Sequence, residues 1–295
     1  MKKSVSLLLA GLMLCGALAG CGGSNDSAES TTSTDTESTG TSGAIHVVSR
    51  EDGSGTRGAF VELTGVEDDN GDNTTVEAEI ANRTDAVLTT VAGNEAAIGY
   101  VSLGSLNDTV KAVTVDGVEA TVDNVKSGDY TLSRPFNIAT KGEPTGVAAD
   151  FINFIMSADG QAIVGEDYIT VNDNAEAFTS DGSSGHITVG GSSSVSPVME
   201  QLIEAYKAVN PNAQIDLQTS DSTSGMTGAM DGTFAIGMAS RELKDEEAAE
   251  LTGTAIALDG IAVVVNPANT VEDLTMDQIR SIYVGETTDW ADVAA

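Results

Sequence analysis

Cysteine is nearly absent: Cys15 and Cys21, both close to the start, are the only two in the chain. Beyond them no disulfide, thiolate metal site or cysteine nucleophile can form. Two histidines, His46 and His186, are too few for a histidine-rich metal site. Aromatic residues make up 4%, so stacking platforms for bases or extended sugars are scarce. Basic residues are short as well: 13 Lys and Arg stand against 45 Asp and Glu, a formal net charge of −32. Such a surface repels a nucleic-acid backbone and avoids anionic headgroups, which excludes nucleic acid as a partner. What is present is ample apolar material. Of 295 residues, 40% are hydrophobic and 20% charged, enough to bury the core of one large domain or two ordinary ones.

The first residues read as an address. Met1-Lys2-Lys3 is a short positive start, followed by an apolar run, 5–19, too short for a comfortable membrane span. It ends in Leu18-Ala19-Gly20-Cys21, which resembles the lipobox of bacterial lipoproteins. That resemblance implies a signal peptide over 1–20, cleavage before Cys21, and diacylglycerol on its thiol. An ordinary secretory signal is the alternative. Two acyl chains anchor stably where one does not, which places the protein on the extracytoplasmic face of a cell membrane. Residues 22–43 are almost entirely Ser, Thr, Gly, Asp and Glu. With no apolar face to bury, 21–43 reads as a flexible tether.

The body alternates strand and helix patterns. Ala44-Ile45-His46-Val47-Val48 reads as a buried strand, 56–63 as a short helix, and 96–101 and 110–115 as further strands. Residues 147–164 have helical spacing, with Phe151, Phe154 and Ile155 on one face; 186–189 is another strand. Ser196 and Pro197 open a helix, Ser as cap and Pro in the first turn, with Met199, Leu202, Ile203 and Tyr206 at helical spacing. Residues 261–265 form a continuous apolar strand. This alternation argues for α/β architecture. The polar stretch 172–185 reads as a linker between two compact halves.

Three clusters of small residues carry the chemistry: Ser49-Arg50-Glu51-Asp52-Gly53-Ser54-Gly55-Thr56-Arg57-Gly58, Gly190-Gly191-Ser192-Ser193-Ser194, and Ser220-Asp221-Ser222-Thr223-Ser224-Gly225. The first two follow a strand and precede a helix, and the third stands before the short segment 226–230. Each offers hydroxyls and backbone N–H groups at a helix N-terminus, where the dipole favours an anion. One such cluster is only a capped turn; three, one with an embedded Arg-x-Asp, point to an oxyanion site. Arg50 is either a surface charge paired with Glu51 or a charge-assisted clamp on an anion. Asp52 suits a ligand that carries a proton. Monohydrogen phosphate can donate to a carboxylate and sulfate cannot, so Asp52, if it points inward, implies selectivity for phosphate.

Residues 49–58, 187–197, 237–243 and 257–267, with Asn94-Glu95-Ala96-Ala97-Ile98-Gly99-Tyr100-Val101-Ser102-Leu103-Gly104 and Ser133-Arg134-Pro135-Phe136, resemble the phosphate-binding lipoproteins of bacterial phosphate ABC transporters. The resemblance implies a two-lobed periplasmic-binding-protein-like fold of type II with phosphate enclosed between the lobes. Carried over by position, the contacts fall on Arg50, Asp52, Ser54, Gly55 and Thr56, opposite Ser193, Ser194, Ser222, Thr223 and Ser240. Better-known members carry an aromatic residue at Ser194 and an aspartate at Ser240. The order also departs: in the family the segment like 187–293 precedes the one like 45–171. The halves are exchanged here as in a circular permutation, which surface termini tolerate. A tandem or misassembled gene fragment is the alternative. The permuted arrangement implies one lobe over 140–258, containing the linker 172–185, and a second built from 45–138 and 260–295.

The function implied is capture of inorganic phosphate outside the membrane and delivery to permease subunits, with no cofactor and no catalysis. A serine hydrolase or phosphatase using Ser54 is one competing class, but no Gly-x-Ser-x-Gly elbow surrounds Ser54 and neither histidine is an evident base. A metal-binding acidic surface protein is the other. Glu67-Asp68-Asp69-Asn70-Gly71-Asp72-Asn73 misplaces the glycine of a calcium loop and lacks its final glutamate, so it reads as a solvated loop.

Overall fold

Alternation along strands decides where the cores form. A computed structural model describes residues 41–293; the signal peptide, Cys21 and all but the last residues of the tether lie outside them. The main strands are β1 (His46–Arg50), β2 (Glu79–Ala81), β3 (Ala97–Ser102), β4 (Ser133–Thr140), β5 (Gly185–Ser192), β6 (Ala213–Ser220), β7 (Ile236–Ala239) and β8 (Thr252–Val265). The main helices are α1 (Gly55–Thr64), α2 (Thr84–Ala92), α3 (Val147–Met156), α4 (Ala158–Asp167), α5 (Ser196–Val209), α6 (Ser222–Asp231) and α7 (Met276–Tyr283). The strands follow one another in the order β6-β5-β7-β4-β8-β3-β1-β2. Pairs β6–β5, β5–β7, β3–β1 and β1–β2 are parallel, while β4 and β8 are antiparallel to their neighbours.

The long strand β8 joins two lobes. Its first part, Thr252 to Gly260, pairs with β4; its last, Ile261 to Val265, pairs with β3. Beyond the switch, side chains alternate between two buried faces. Ile261, Val263 and Val265 pack with Phe60, Tyr100, Ile279 and Trp290, while Ala262 and Val264 pack with Val48, Val87 and Val91. A sheet covered by packed elements on both faces requires this apolarity on both sides, whichever way its strands run. The other lobe has its own core of Phe136, Ile138, Phe151, Phe154, Val189, Met199, Leu202 and Tyr206.

Several local expectations shift. The helical run 147–164 breaks at Ser157, which takes extended dihedrals and caps α4 by accepting from the Gly160 N–H. The strand expected over 110–115 divides into Lys111–Ala112 on β8 and Thr114–Val115 on a separate two-stranded sheet. Ser196 is the first residue of α5 rather than its cap; the cap position is Val195 and has no side-chain bond. The stretch 172–185 is not a loose join between halves, since it connects α4 to β5 within one lobe. Phe178 packs on Phe154 with ring centroids 5.2 Å apart. Asp150, in α3, accepts from the Ser180 hydroxyl at 2.7 Å and the Asp181 N–H at 3.0 Å. The tether ends earlier than expected, because Thr41 N donates to Thr270 Oγ1 and Gly43 N to Asp289 Oδ1. The two ends of the body meet: Ile45 N donates to Thr288 O at 2.8 Å and Trp290 N to Gly43 O at 3.0 Å.

Asp150 is the anchor of the 172–185 segment. Burial raises its pKa, but bonds from Ser180, the Asp181 N–H, Tyr206 and Asn210 outweigh this and hold the carboxyl below the usual range. A depressed folded-state value stabilises above the unfolded value and is lost as pH falls through the folded one. Asp150→Ala is expected to lower stability by about 2–3 kcal/mol, read by thermal melting. It should also speed amide exchange over 178–183, and the acid limb of the stability profile should flatten.

Candidate functional site

Strands β1, β5, β6 and β7 all end at the cleft between the lobes, where the loops at parallel-strand carboxyl ends gather binding groups. After β1 the chain turns through Gly53, whose φ is +88°, and Ser54 caps α1 by accepting from the Arg57 N–H. After β5 come Ser192, Ser193 and Ser194. After β6, Asp221 caps α6 by accepting from the Ser224 N–H, which leaves Ser222 facing the cleft. Ser240 follows β7.

These loops bring hydroxyls from both lobes together. Thr56 Oγ1 lies 2.8 Å from Ser194 Oγ and 3.4 Å from Ser240 Oγ. Ser192 Oγ donates to Ser240 Oγ at 3.0 Å, and Ser222 Oγ is 3.5 Å from it. Thr84 Oγ1, at the start of α2, is 3.2 Å from Ser193 Oγ and 3.3 Å from Ser194 Oγ. All of these side chains are buried. Gly55 permits the approach: a Cβ there would lie 2.5 Å from Ser222 Oγ and 2.8 Å from Ser240 Oγ. Thr223 sits at the rim, where its N–H and hydroxyl donate to Gly53 O across the cleft at 3.1 and 3.3 Å.

Two guanidinium groups border the hydroxyls. Arg50 is 2% exposed. Its Nε and Nη2 donate to the two carboxylate oxygens of Glu51 at 2.7 and 2.8 Å, leaving Nη1 for Thr84 at 3.3 Å and a second Nη2 bond for Ser193 at 3.1 Å. Arg134, in β4, pairs with Asp259 of β8 at 2.7 Å. Its Nη2 reaches Thr56 Oγ1 at 3.2 Å. Burial pushes the Asp259 carboxyl up and the Arg134 guanidinium down, and their ion pair opposes both shifts. Beside the hydroxyls lies a cavity of about 400 Å³ lined by Thr84, Leu88, Ser105, Ser193 and Pro197 among others.

Of the residues singled out from sequence, Arg50, Gly55, Thr56, Ser193, Ser194, Ser222 and Ser240 meet here. Ser54 is adjacent as a helix cap and Thr223 stands at the rim. Asp52 does not join them. Its side chain is fully solvent-exposed, with Arg57 Nη1 3.9 Å away as its nearest cation. The turn at Gly53 carries it outward, and the carboxylate that orients Arg50 is Glu51. The argument for phosphate selectivity through Asp52 therefore fails. Thr84, Arg134 and Asp259 escaped sequence reasoning. The signal for Asp259 was an ionisable residue beside the apolar run 261–265; Arg134 gave none, since its strand also carries Ser133, Asn137 and Thr140. His46 pairs with Glu79 and His186 with Asp216, both at the surface, so neither stands beside Ser54. Among the described residues no cluster of His, Cys, Asp and Glu could hold a metal ion.

A family model described as a PBP superfamily domain matches residues 25–159 and 176–295. The phosphate-binding protein PstS 2 of Streptococcus agalactiae is 49% identical over 300 residues, covering 99% of this chain and 98% of that protein. This chain belongs to the PBP superfamily, in the family of the phosphate-binding PstS proteins. PstS 2 of Streptococcus pneumoniae is 46% identical over 294 residues, 98% of each chain. A crystal structure of a phosphate-binding protein of a phosphate ABC transporter from Streptococcus pneumoniae TIGR4 superposes with a TM-score of 0.69. It is 46% identical and covers 85% of this chain and 100% of that one. The two-lobed α/β architecture is thus the PstS architecture.

In this PstS relative, Gly55→Ala should hold the lobes apart while leaving each folded. The new Cβ meets hydroxyls of the opposite lobe, whereas alanine at a helix start costs nothing locally. Small-angle scattering should report a larger radius of gyration with an unchanged or slightly raised melting temperature.

Proposed function

We propose that this chain captures inorganic phosphate between its lobes, outside the cytoplasmic membrane, and delivers it to the permease of an ABC importer. The observation that carries this reading is the convergence of buried hydroxyls from both lobes between Arg50 and Arg134. Such a site exchanges the hydration of an oxyanion for fixed donors without chemical change. Because donors come from both lobes, the anion favours the closed form, the condition for ligand-driven closure. The printed names of the streptococcal relatives support phosphate as the anion. Arg50, Gly55, Thr56, Ser193, Ser194, Ser222 and Ser240 are the proposed contacts, with Ser54 and Thr223 beside them. Serine and threonine hydroxyls accept as well as donate, so they can meet the ligand proton that Asp52 was expected to take.

The lobes are read as 45–138 with 260–295, and 140–258. The meeting of Gly43 and Ile45 with Thr288 and Trp290 supports a permuted order, since it sets side by side two segments that adjoin in the family's usual order. The near-full-length match to streptococcal PstS 2 supports an order shared with relatives rather than a misassembled fragment. The Leu18-Ala19-Gly20-Cys21 sequence supports lipid anchoring at Cys21 after removal of a signal peptide.

Titration calorimetry of the full chain should show phosphate binding, with arsenate competing. Arg50→Ala is expected to weaken both by about 1.5–3 kcal/mol, while Asp52→Asn leaves the phosphate-to-sulfate ratio unchanged. Absence of heat with phosphate would overturn the reading. Cys21→Ser should move the protein from the membrane to the soluble fraction; retention at the membrane would count against the lipid anchor.

A further inference from the structure

An arginine carries only donors, so whatever it touches must accept. Arg134 Nη2 lies 3.2 Å from Thr56 Oγ1. With that lone pair taken and a positive charge behind it, the Thr56 proton is turned away from Arg134. The other oxygens around Thr56 Oγ1 are Ser194 Oγ at 2.8 Å and Ser240 Oγ at 3.4 Å. We infer that Arg134 is a positioning residue of the anion site: held by Asp259, it occupies the Thr56 oxygen and directs the Thr56 hydroxyl proton at the bound oxyanion. The inference rests on the phosphate-binding reading above.

Arg134 has little freedom to do otherwise. Its Nη1 donates to Asp259 and to Gly260 O, each at 2.7 Å, and its Nε to Ser240 O at 3.4 Å. Asp259 is itself fixed by the Ser102 hydroxyl at 2.8 Å and the Gly104 N–H at 3.4 Å. The pair faces across β4 and β8 in register, beside the switch of β8 from one lobe to the other. A pair serving only to join these strands would need the carboxylate and the carbonyls alone. The bond to a hydroxyl of the anion cluster goes beyond that need. The same logic recurs across the cluster. The Ser240 N–H donates to Ser222 Oγ at 3.1 Å and the Ser194 N–H to Ser192 Oγ at 3.3 Å. Those hydroxyl oxygens also accept a fixed N–H, and the Ser192 hydroxyl donates on to Ser240 Oγ.

The test is phosphate titration and thermal melting of the full chain and four variants. Arg134→Gln should lower phosphate affinity about 10- to 100-fold, the loss of one charge-assisted arrangement. It should also lower the melting temperature, because Asp259 is left buried and unpaired. The double variant Arg134→Gln with Asp259→Asn removes the stranded charge and should regain stability while affinity stays low. Thr56→Val and Arg134→Gln combined should lose no more affinity than the larger single loss, the signature of one residue acting through the other. Recovery of affinity together with stability, or additive losses with Thr56→Val, would overturn the inference and leave phosphate binding intact. A wild-type chain that binds no phosphate would remove both.

Discussion

Two arginines buried between the lobes set the terms for the rest of this structure. An isolated charge taken out of water costs several kcal/mol or more and persists only when paired and hydrogen-bonded. Arg50 and Arg134 each meet one carboxylate, Glu51 and Asp259. Each then has N–H groups left over, directed at Ser193 and Thr84 in one case and at Thr56 in the other. Because a guanidinium only donates, those hydroxyls must accept from it and donate elsewhere. The cleft is thus lined by hydroxyls that accept from fixed donors, and the backbone N–H groups of Ser194 and Ser240 act likewise on Ser192 and Ser222.

That polarity is local, and the chain around it is strongly acidic. The net charge of −32 would repel an anion from most of the surface. A further cavity of about 140 Å³ at the rim is lined by Arg57, Arg241 and Lys244 together with Asp52, Glu67 and Asp72, so its charges balance and the donors that matter are the two buried arginines. The distant acids are screened within roughly 8–10 Å at physiological salt, so the local donors set the character of the cleft. The rim bonds from Thr223 to Gly53 O, and the room left by Gly55, let the lobes approach closely enough for hydroxyls of both to meet.

Much of the fold could be read from local pattern. The apolar run at 261–265, the helical spacing from Met199 to Tyr206 and the three serine- and glycine-rich turns each encode an element through neighbours a few residues apart. What local pattern misjudged involved choices between neighbours. A helix from 147 to 164 was plausible by spacing, but Ser157 caps the second half better than it continues the first. The polar stretch 172–185 looked unattached because its anchor is a single buried carboxylate in another helix, Asp150.

At the site the division is sharper. Three clusters of small hydroxyl residues were enough to point at the turns holding Arg50, Thr56, Ser194 and Ser222, and the family resemblance added Ser240. They could not say which of two adjacent acids orients Arg50. Glu51 and Asp52 differ by one position, yet Glu51 turns to Arg50 while Asp52 stands in solvent at the turn through Gly53. Nor could they bring Arg134 to Thr56, seventy-eight residues away. Local sequence specifies dihedrals, caps and faces, because those depend on neighbours within a turn or two. Which charges are buried together depends on strand order and lobe closure, and that is decided only when the whole sheet is assembled.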